Sequence, residues 1–121
     1  MGVDGVIATN TTTERAASLR SARRSERGGL SGKPLFERST AVLRSLYRAL
    51  DGRLPRIGVG GVDGAETAYA KILAGASLVQ LYTGFAYGGP ALIGRLKREL
   101  LAALVAEGFA DVTAAIGADL R

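Results

Sequence analysis

The sequence predicts an α/β fold, the C-terminal portion (about three βα units) of a TIM-type (β/α)8 barrel. Three observations carry this. Short apolar runs alternate with longer amphipathic segments in the order strand, helix, strand, helix, strand, helix, the pattern of a parallel sheet covered by helices. Each run ends in a polar or glycine-bearing mouth, at Thr9-Asn10-Thr11-Thr12-Thr13, at Gly60-Gly61 and at Tyr82-Thr83-Gly84. The chain has 121 residues, whereas a closed barrel takes about 250. A doubly wound sheet competes, with ligands at its topological switch point. The barrel explains more, because barrels build phosphate sites from their last two strand-to-helix loops plus a short extra helix. Three units cannot close a sheet. Val3 to Ala8 and Ser77 to Tyr82 each carry an unpaired edge unless other chain covers them, which predicts stickiness or a missing N-terminal portion.

Composition narrows the chemistry. The chain is 47% hydrophobic with a mean hydropathy of +0.16, enough for a real core. It has no cysteine and no histidine, which excludes disulfides, thiolate metal sites and the commonest general base, so no metal site is expected. No apolar run approaches a membrane span, and Met1-Gly2-Val3-Asp4-Gly5 lacks the layout of a signal peptide, so the chain by itself reads as soluble. Net charge is +5, concentrated where Arg15, Arg20, Arg23, Arg24 and Arg27 face two acids. No aromatic residue is interleaved there for base stacking, and Ser18, Ser21 and Ser25 favour a solvated loop or loose helix over a nucleic-acid surface.

Val3 to Ala8 reads as a strand ending in a polar cluster, whose threonines and asparagine suit either a helix cap or a row of ligand-facing groups. After the arginine-rich segment, Gly28-Gly29-Leu30-Ser31-Gly32-Lys33-Pro34-Leu35 is a loop built for backbone contact. It lacks the Gly-x-x-x-x-Gly-Lys-Ser/Thr spacing, so a nucleoside-triphosphatase loop is excluded. From Leu35 to about Leu50, Phe36, Ser39, Thr40, Leu43, Leu46, Tyr47 and Leu50 recur at helical spacing, and Asp51-Gly52 stops the helix.

Ile57-Gly58-Val59-Gly60-Gly61-Val62-Asp63 is the organising stretch. An apolar strand ends in glycines that admit positive φ, and Asp63 with Glu66 predicts a helix cap. Amides at such a turn suit a phosphate. Glycines are also common at such turns for steric reasons alone. Ala65 to Ala74 is rich in helix formers and Gly75 supplies a left-handed stop. Ser77 to Tyr82 is the third strand. Gly88-Gly89-Pro90 opens a long helix with Leu92, Ile93, Leu96, Leu100 and Leu104 on one side, and Asp111 to Ile116 forms a short last helix.

Four stretches carry a resemblance: Asp4-Gly5-Val6-Ile7-Ala8-Thr9-Asn10-Thr11-Thr12, Gly28 to Leu35, Ile57 to Val62, and Gly75-Ala76-Ser77-Leu78-Val79-Gln80-Leu81-Tyr82-Thr83. In this order they closely resemble the C-terminal part of dihydroorotate dehydrogenase, more narrowly the quinone-linked, membrane-associated class 2 enzymes. The resemblance extends to the closing Gly108 to Asp119. It implies an FMN-bearing barrel that oxidises dihydroorotate to orotate in pyrimidine synthesis, with a quinone reoxidising the flavin. By the same resemblance Thr9 matches a position contacting FMN, and Asn10 and Thr11 the pair that binds substrate. Gly32 and Gly61 match glycines approaching the flavin or its phosphate, and Tyr82 and Thr83 the pair completing the phosphate grip. Thr12, Thr13 and Lys33 read as loop, cap or tethering residues.

The family's base, a serine in class 2, falls upstream of anything matched, as do a flavin-contacting lysine and further substrate asparagines. No catalytic residue is therefore expected in this chain, and alone it is expected to be inactive. Membrane association, on the cytoplasmic face of a bacterial inner membrane or the mitochondrial inner membrane, is implied through a segment absent here. Two readings stay open beside this one: a phosphate-binding barrel without flavin, and an inactive chain whose basic loop binds an acidic partner.

Overall fold

A computed structural model describes residues 2–121. Three parallel strands, Val6–Ala8 (β1), Arg56–Val59 (β2) and Leu78–Gln80 (β3), form one sheet in the order β1-β2-β3. Ile7 pairs with Ile57, and Ile57 in turn with Leu78. Helices run over Phe36–Leu50 (α1), Ala65–Leu73 (α2), Thr83–Gly88 (α3), Ala91–Ala106 (α4) and Val112–Ala115 (α5). The predicted order of strands and helices holds, although β1 and β3 are shorter than the sequence suggests.

The sheet is covered on one face. Ala8, Arg56 and Gly58 are buried against the helices, while Ile7 and Leu78 on the opposite face are 61% and 60% exposed. Alternation of this kind follows from the period of two along a strand. The open face corresponds to the inside of a barrel. Gly58 lets the first helix come close, since an added Cβ there would lie 3.1 Å from both Leu43 and Ala76. Helix α2 then packs on α4 through Ala68 with Val62 and Leu96, and through Ile72 with Leu104 and Ala115.

Helix α1 follows a single 3-10 turn at Lys33–Leu35 and ends at Asp51, which takes the left-handed conformation at φ 46° itself. Arg56 opens β2 yet is buried. Its guanidinium donates to the carbonyls of Gly75 at 2.7 Å and Leu54 at 2.6 Å and lies 4.9 Å from the centre of the Tyr47 ring.

Two local expectations change. Helix α2 is capped at Gly64 rather than Asp63, because Thr67 reaches back and its Oγ1 accepts from the amides of Asp63 and Gly64 at 3.0 and 3.2 Å. Glu66 is exposed and takes no part in the cap. Ile93 is exposed, because the buried side of α4 is set by Leu92, Leu96 and Leu104. The arginine-rich segment is a loop, one of the two forms expected of it, and Thr12 pairs with Leu30 in an isolated antiparallel bridge.

Candidate functional site

The mouths of the three strands converge on one cleft of about 330 Å³ at the C-terminal edge of the sheet. It is lined by Thr9, Asn10 and Thr11 after β1, by Gly60 and Gly61 after β2, and by Tyr82, Thr83 and Gly84 after β3, with Ser31 and Gly32 closing one side. Every residue that the sequence nominates, Thr9, Asn10, Thr11, Gly32, Gly61, Tyr82 and Thr83, lies on its wall. Leu35, Val59, Val62 and Leu81 line it too and went unremarked, because an apolar side chain at a strand end has no sequence signal that separates lining from core.

The loops are locked to one another. The Thr9 amide donates to the Val59 carbonyl at 3.3 Å, joining the first mouth to the second. Ser31 and Thr83 share a hydroxyl hydrogen bond of 2.9 Å, and a Cβ on Gly32 would touch the Thr83 methyl at 3.1 Å. Gly84 allows the start of α3 to sit directly on Val62 and Asp63. Across the rim, Lys33 Nζ pairs with Asp63 Oδ2 at 2.9 Å. The Asp63 hydrogen bond and then its charge raise the Lys33 pKa. Lys33 is a tether, and the acid expected to cap a helix is its anchor.

What the cleft offers chemically is a set of free amides. Gly60, Gly61 and Val62 lie between β2 and α2, and their N–H groups donate to no carbonyl or side chain among the described residues. Gly61 and Val62 are buried. Buried amides are nearly always paired, so the two at Gly61 and Val62, with that of Gly60 beside them, are donors suited to an acceptor from outside the chain. Successive backbone N–H groups form an anion-binding concavity. A phosphate monoester fits that donor set.

The opposite side of the cleft carries a different chemistry. Asn10 Oδ1 is engaged internally, accepting from the Thr11 amide at 2.8 Å, which leaves the Asn10 carboxamide nitrogen free to donate outward. Thr12 Oγ1 accepts from the Glu14 amide at 3.1 Å and acts as a turn residue. The segment that follows is held by Arg15. Its guanidinium donates to the carbonyls of Glu26 and Gly28 at 2.7 Å, of Arg24 at 3.0 Å and of Thr13 at 3.0 Å. Sequence reasoning grouped Arg15 with a solvated basic cluster. One guanidinium gathering carbonyls from both ends of the segment is a closure that composition cannot distinguish from surface charge.

Among the described residues, no group of three or more His, Cys, Asp or Glu side chains is placed to hold a metal, and no helix is long and apolar enough to cross a membrane.

The comparisons agree on one family. The family model described as dihydroorotate dehydrogenase matches residues 1–104. The dihydroorotate dehydrogenase (quinone) of Parvibaculum lavamentivorans is 55% identical over 120 residues, spanning 99% of this chain and 34% of that protein. The mitochondrial dihydroorotate dehydrogenase (quinone) of Mus musculus is 54% identical over 121 residues, spanning 100% of this chain and 31% of that protein. A crystal structure of the Eimeria tenella DHODH in complex with ferulenol superposes with a TM-score of 0.94 at 45% identity, covering 98% of this chain and 31% of that one. The chain thus spans about a third of the length of the relatives it matches.

Proposed function

This chain belongs to the dihydroorotate dehydrogenase family, and from that premise we propose that it supplies the phosphate-gripping loops and part of the substrate wall of an FMN-dependent enzyme. That enzyme oxidises dihydroorotate to orotate in pyrimidine synthesis and passes the electrons to a quinone. The observation that supports this most is the run of unpaired amides at Gly60, Gly61 and Val62, facing a cleft whose other wall presents Asn10 and Thr11.

The division of labour follows from the donor sets. Bound FMN supplies the acceptor for the hydride. The amides of Gly60 and Gly61 hold its phosphate, with Thr83 closing the grip and Tyr82 contributing at the strand end. Gly32 lets its loop press against Thr83, and Thr9 borders the flavin. Asn10 donates through its carboxamide nitrogen to a carbonyl or carboxylate oxygen of dihydroorotate, and Thr11 orients Asn10 by donating its own amide. These residues bind and orient; the proton-abstracting serine and the quinone and membrane contacts belong to other parts of the enzyme. A chain that holds one side of the flavin and substrate does not turn over alone.

The experiment sets this chain in place of the matching third of the Parvibaculum lavamentivorans relative. The expected result is a folded hybrid with a stoichiometric flavin absorbance band and dihydroorotate–quinone turnover, falling by roughly a hundredfold or more in Asn10→Ala. A folded hybrid free of flavin, or one whose turnover ignores Asn10→Ala, overturns the reading.

A further inference from the structure

Lys71 lies under the anion mouth, and none of the roles above uses it. It sits on α2 with no exposed surface, and its Nζ donates to Ser39 Oγ at 2.5 Å and stands 5.0 Å from the centre of the Phe36 ring. Ser39, also fully buried, places the same Oγ 3.0 Å from the carbonyl oxygens of both Phe36 and Gly60. The chain of contact therefore runs from a buried ammonium through one hydroxyl to the first glycine of the mouth.

That contact has a directional consequence. In a trans peptide the carbonyl and the following N–H point opposite ways. With the Gly60 carbonyl turned down onto Ser39, the Gly61 amide is turned up into the cleft. The Lys71 ammonium occupies the acceptor side of the Ser39 oxygen and leaves its hydrogen for the carbonyls. Gly60 and Gly61 leave no slack in this arrangement. A Cβ on Gly60 would lie 2.9 Å from Ser39 Oγ, and one on Gly61 would lie 2.5 Å from Phe36 Cβ.

The charge itself is poorly compensated. The ion pairs among the described residues are Arg23 with Glu26, Lys33 with Asp63 and Arg38 with Glu14, and none reaches Lys71. From α1, Glu37 favours the charged form and Arg44 opposes it; β2 meets Lys71 with the backbone of Gly58, which carries no charge. Burial dominates both and lowers the Lys71 pKa to about 8. A buried ammonium with one hydrogen-bond acceptor and no carboxylate beside it is an expensive feature. A dianion seated on the Gly60–Gly61 amides would be its missing counter-charge.

We propose that Lys71 is a positioning residue for the anion mouth, fixing the Gly60–Gly61 loop through Ser39 and favouring a phosphate dianion there over a neutral ligand. This rests on the phosphate reading given above and goes beyond it by naming the residue that sets phosphate affinity. Anion binding and Lys71 protonation are then linked. Affinity falls as the lysine loses its proton, above about pH 8.

The test is equilibrium dialysis of FMN, riboflavin and inorganic phosphate against the full chain and the hybrid barrel, from pH 7 to pH 9.5. The phosphate monoester of FMN remains a dianion over this range, since its second pKa is about 6, whereas inorganic phosphate itself titrates near neutrality and is read only from pH 8 upward. FMN is expected to weaken by roughly tenfold across the range, and inorganic phosphate to weaken from pH 8 upward, while riboflavin does not. Lys71→Met should weaken FMN about tenfold at pH 7, remove the pH dependence and leave riboflavin binding unchanged. Ser39→Ala should likewise weaken FMN and spare riboflavin, which keeps the test decisive where Lys71→Met misfolds. Equal pH profiles for FMN and riboflavin in the unaltered chain overturn the proposal. So does a Lys71→Met protein with unchanged FMN affinity and slope. If FMN binds neither protein, the phosphate reading fails and this inference with it; if FMN binds with a flat profile, this inference alone fails.

Discussion

Gly61 is pressed against Phe36: a methyl group added to it would lie 2.5 Å from Phe36 Cβ and 2.6 Å from Phe36 Cα. Its φ is +76°, a region that side chains with a Cβ rarely adopt. Both facts come from the mouth rather than from a ligand. The glycine is needed so that the loop after β2 can rest on the start of α1, and that seat turns its amides toward the cleft.

Gly61→Ala should therefore cost stability before it costs binding. Backbone strain and the clash with Phe36 together predict a loss of about 2–4 kcal/mol. Thermal unfolding checks this. A variant that melts with the parent chain would mean the loop is free to move off α1, and the geometry argued for the mouth would be wrong.

Arg15 offers a different readout, because the segment it ties is exposed and carries trypsin sites at Arg20, Arg23, Arg24 and Arg27. Arg15→Ala removes the hydrogen bonds to the Thr13, Arg24, Glu26 and Gly28 carbonyls together. Each is worth about 1 kcal/mol net, so local opening should become at least tenfold more frequent while the sheet is untouched. Limited trypsin digestion should cut between residues 20 and 27 at least tenfold faster, with the far-ultraviolet circular dichroism unchanged. Equal cutting rates would show that Arg15 does not hold the segment.

Arg56 makes a prediction about the charge-preserving substitution. Its fork serves the Gly75 and Leu54 carbonyls at once and stacks on Tyr47. Lysine keeps the charge and loses the planar fork, so Arg56→Lys should destabilise by about 2 kcal/mol, measured by urea denaturation with an unchanged m-value. A midpoint equal to that of the parent would mean that charge alone is required there.

These residues also mark how far the sequence can be read. The order of elements was legible because each strand ends in a polar or glycine-bearing mouth and Leu43, Leu92 and Leu96 recur at helical spacing onto buried faces. The wall of the cleft was legible because hydroxyls, an amide and glycines at strand ends are few and stand together. Lys71 was not legible. A lysine among helix formers reads as solvated surface, and only packing brings Ser39, a residue 32 positions earlier, to its ammonium. Arg15 failed for the same reason, since its acceptors are main-chain carbonyls that no residue type announces. The cap at Gly64 was missed because Asp63, the better capping residue by type, is drawn instead to Lys33.

The buried Lys71 charge makes the stability of the fold depend on pH. The pKa is 10.5 for an ordinary lysine and about 8 in the folded chain. Below pH 8 both states are charged and the fold bears the full cost of the buried charge. Between pH 8 and pH 10.5 the unfolded chain holds the extra proton, so the contribution of Lys71 to stability becomes less unfavourable as pH rises. The shift corresponds to about 3 kcal/mol at most. Lys71→Met removes the titration, so the stability of the parent chain relative to Lys71→Met should rise between pH 8 and pH 10. At pH 7 the methionine variant should be at least as stable as the parent, because a buried apolar group replaces a desolvated charge. Denaturant midpoints of both proteins at pH 7, 8, 9 and 10 test this, since other titrating groups cancel in the difference. A flat or falling difference would mean that Lys71 keeps its proton over this range as an ordinary lysine does, its charge well compensated in the fold. A methionine variant that is more stable and yet binds FMN more weakly would separate a residue kept for the anion from one kept for the fold.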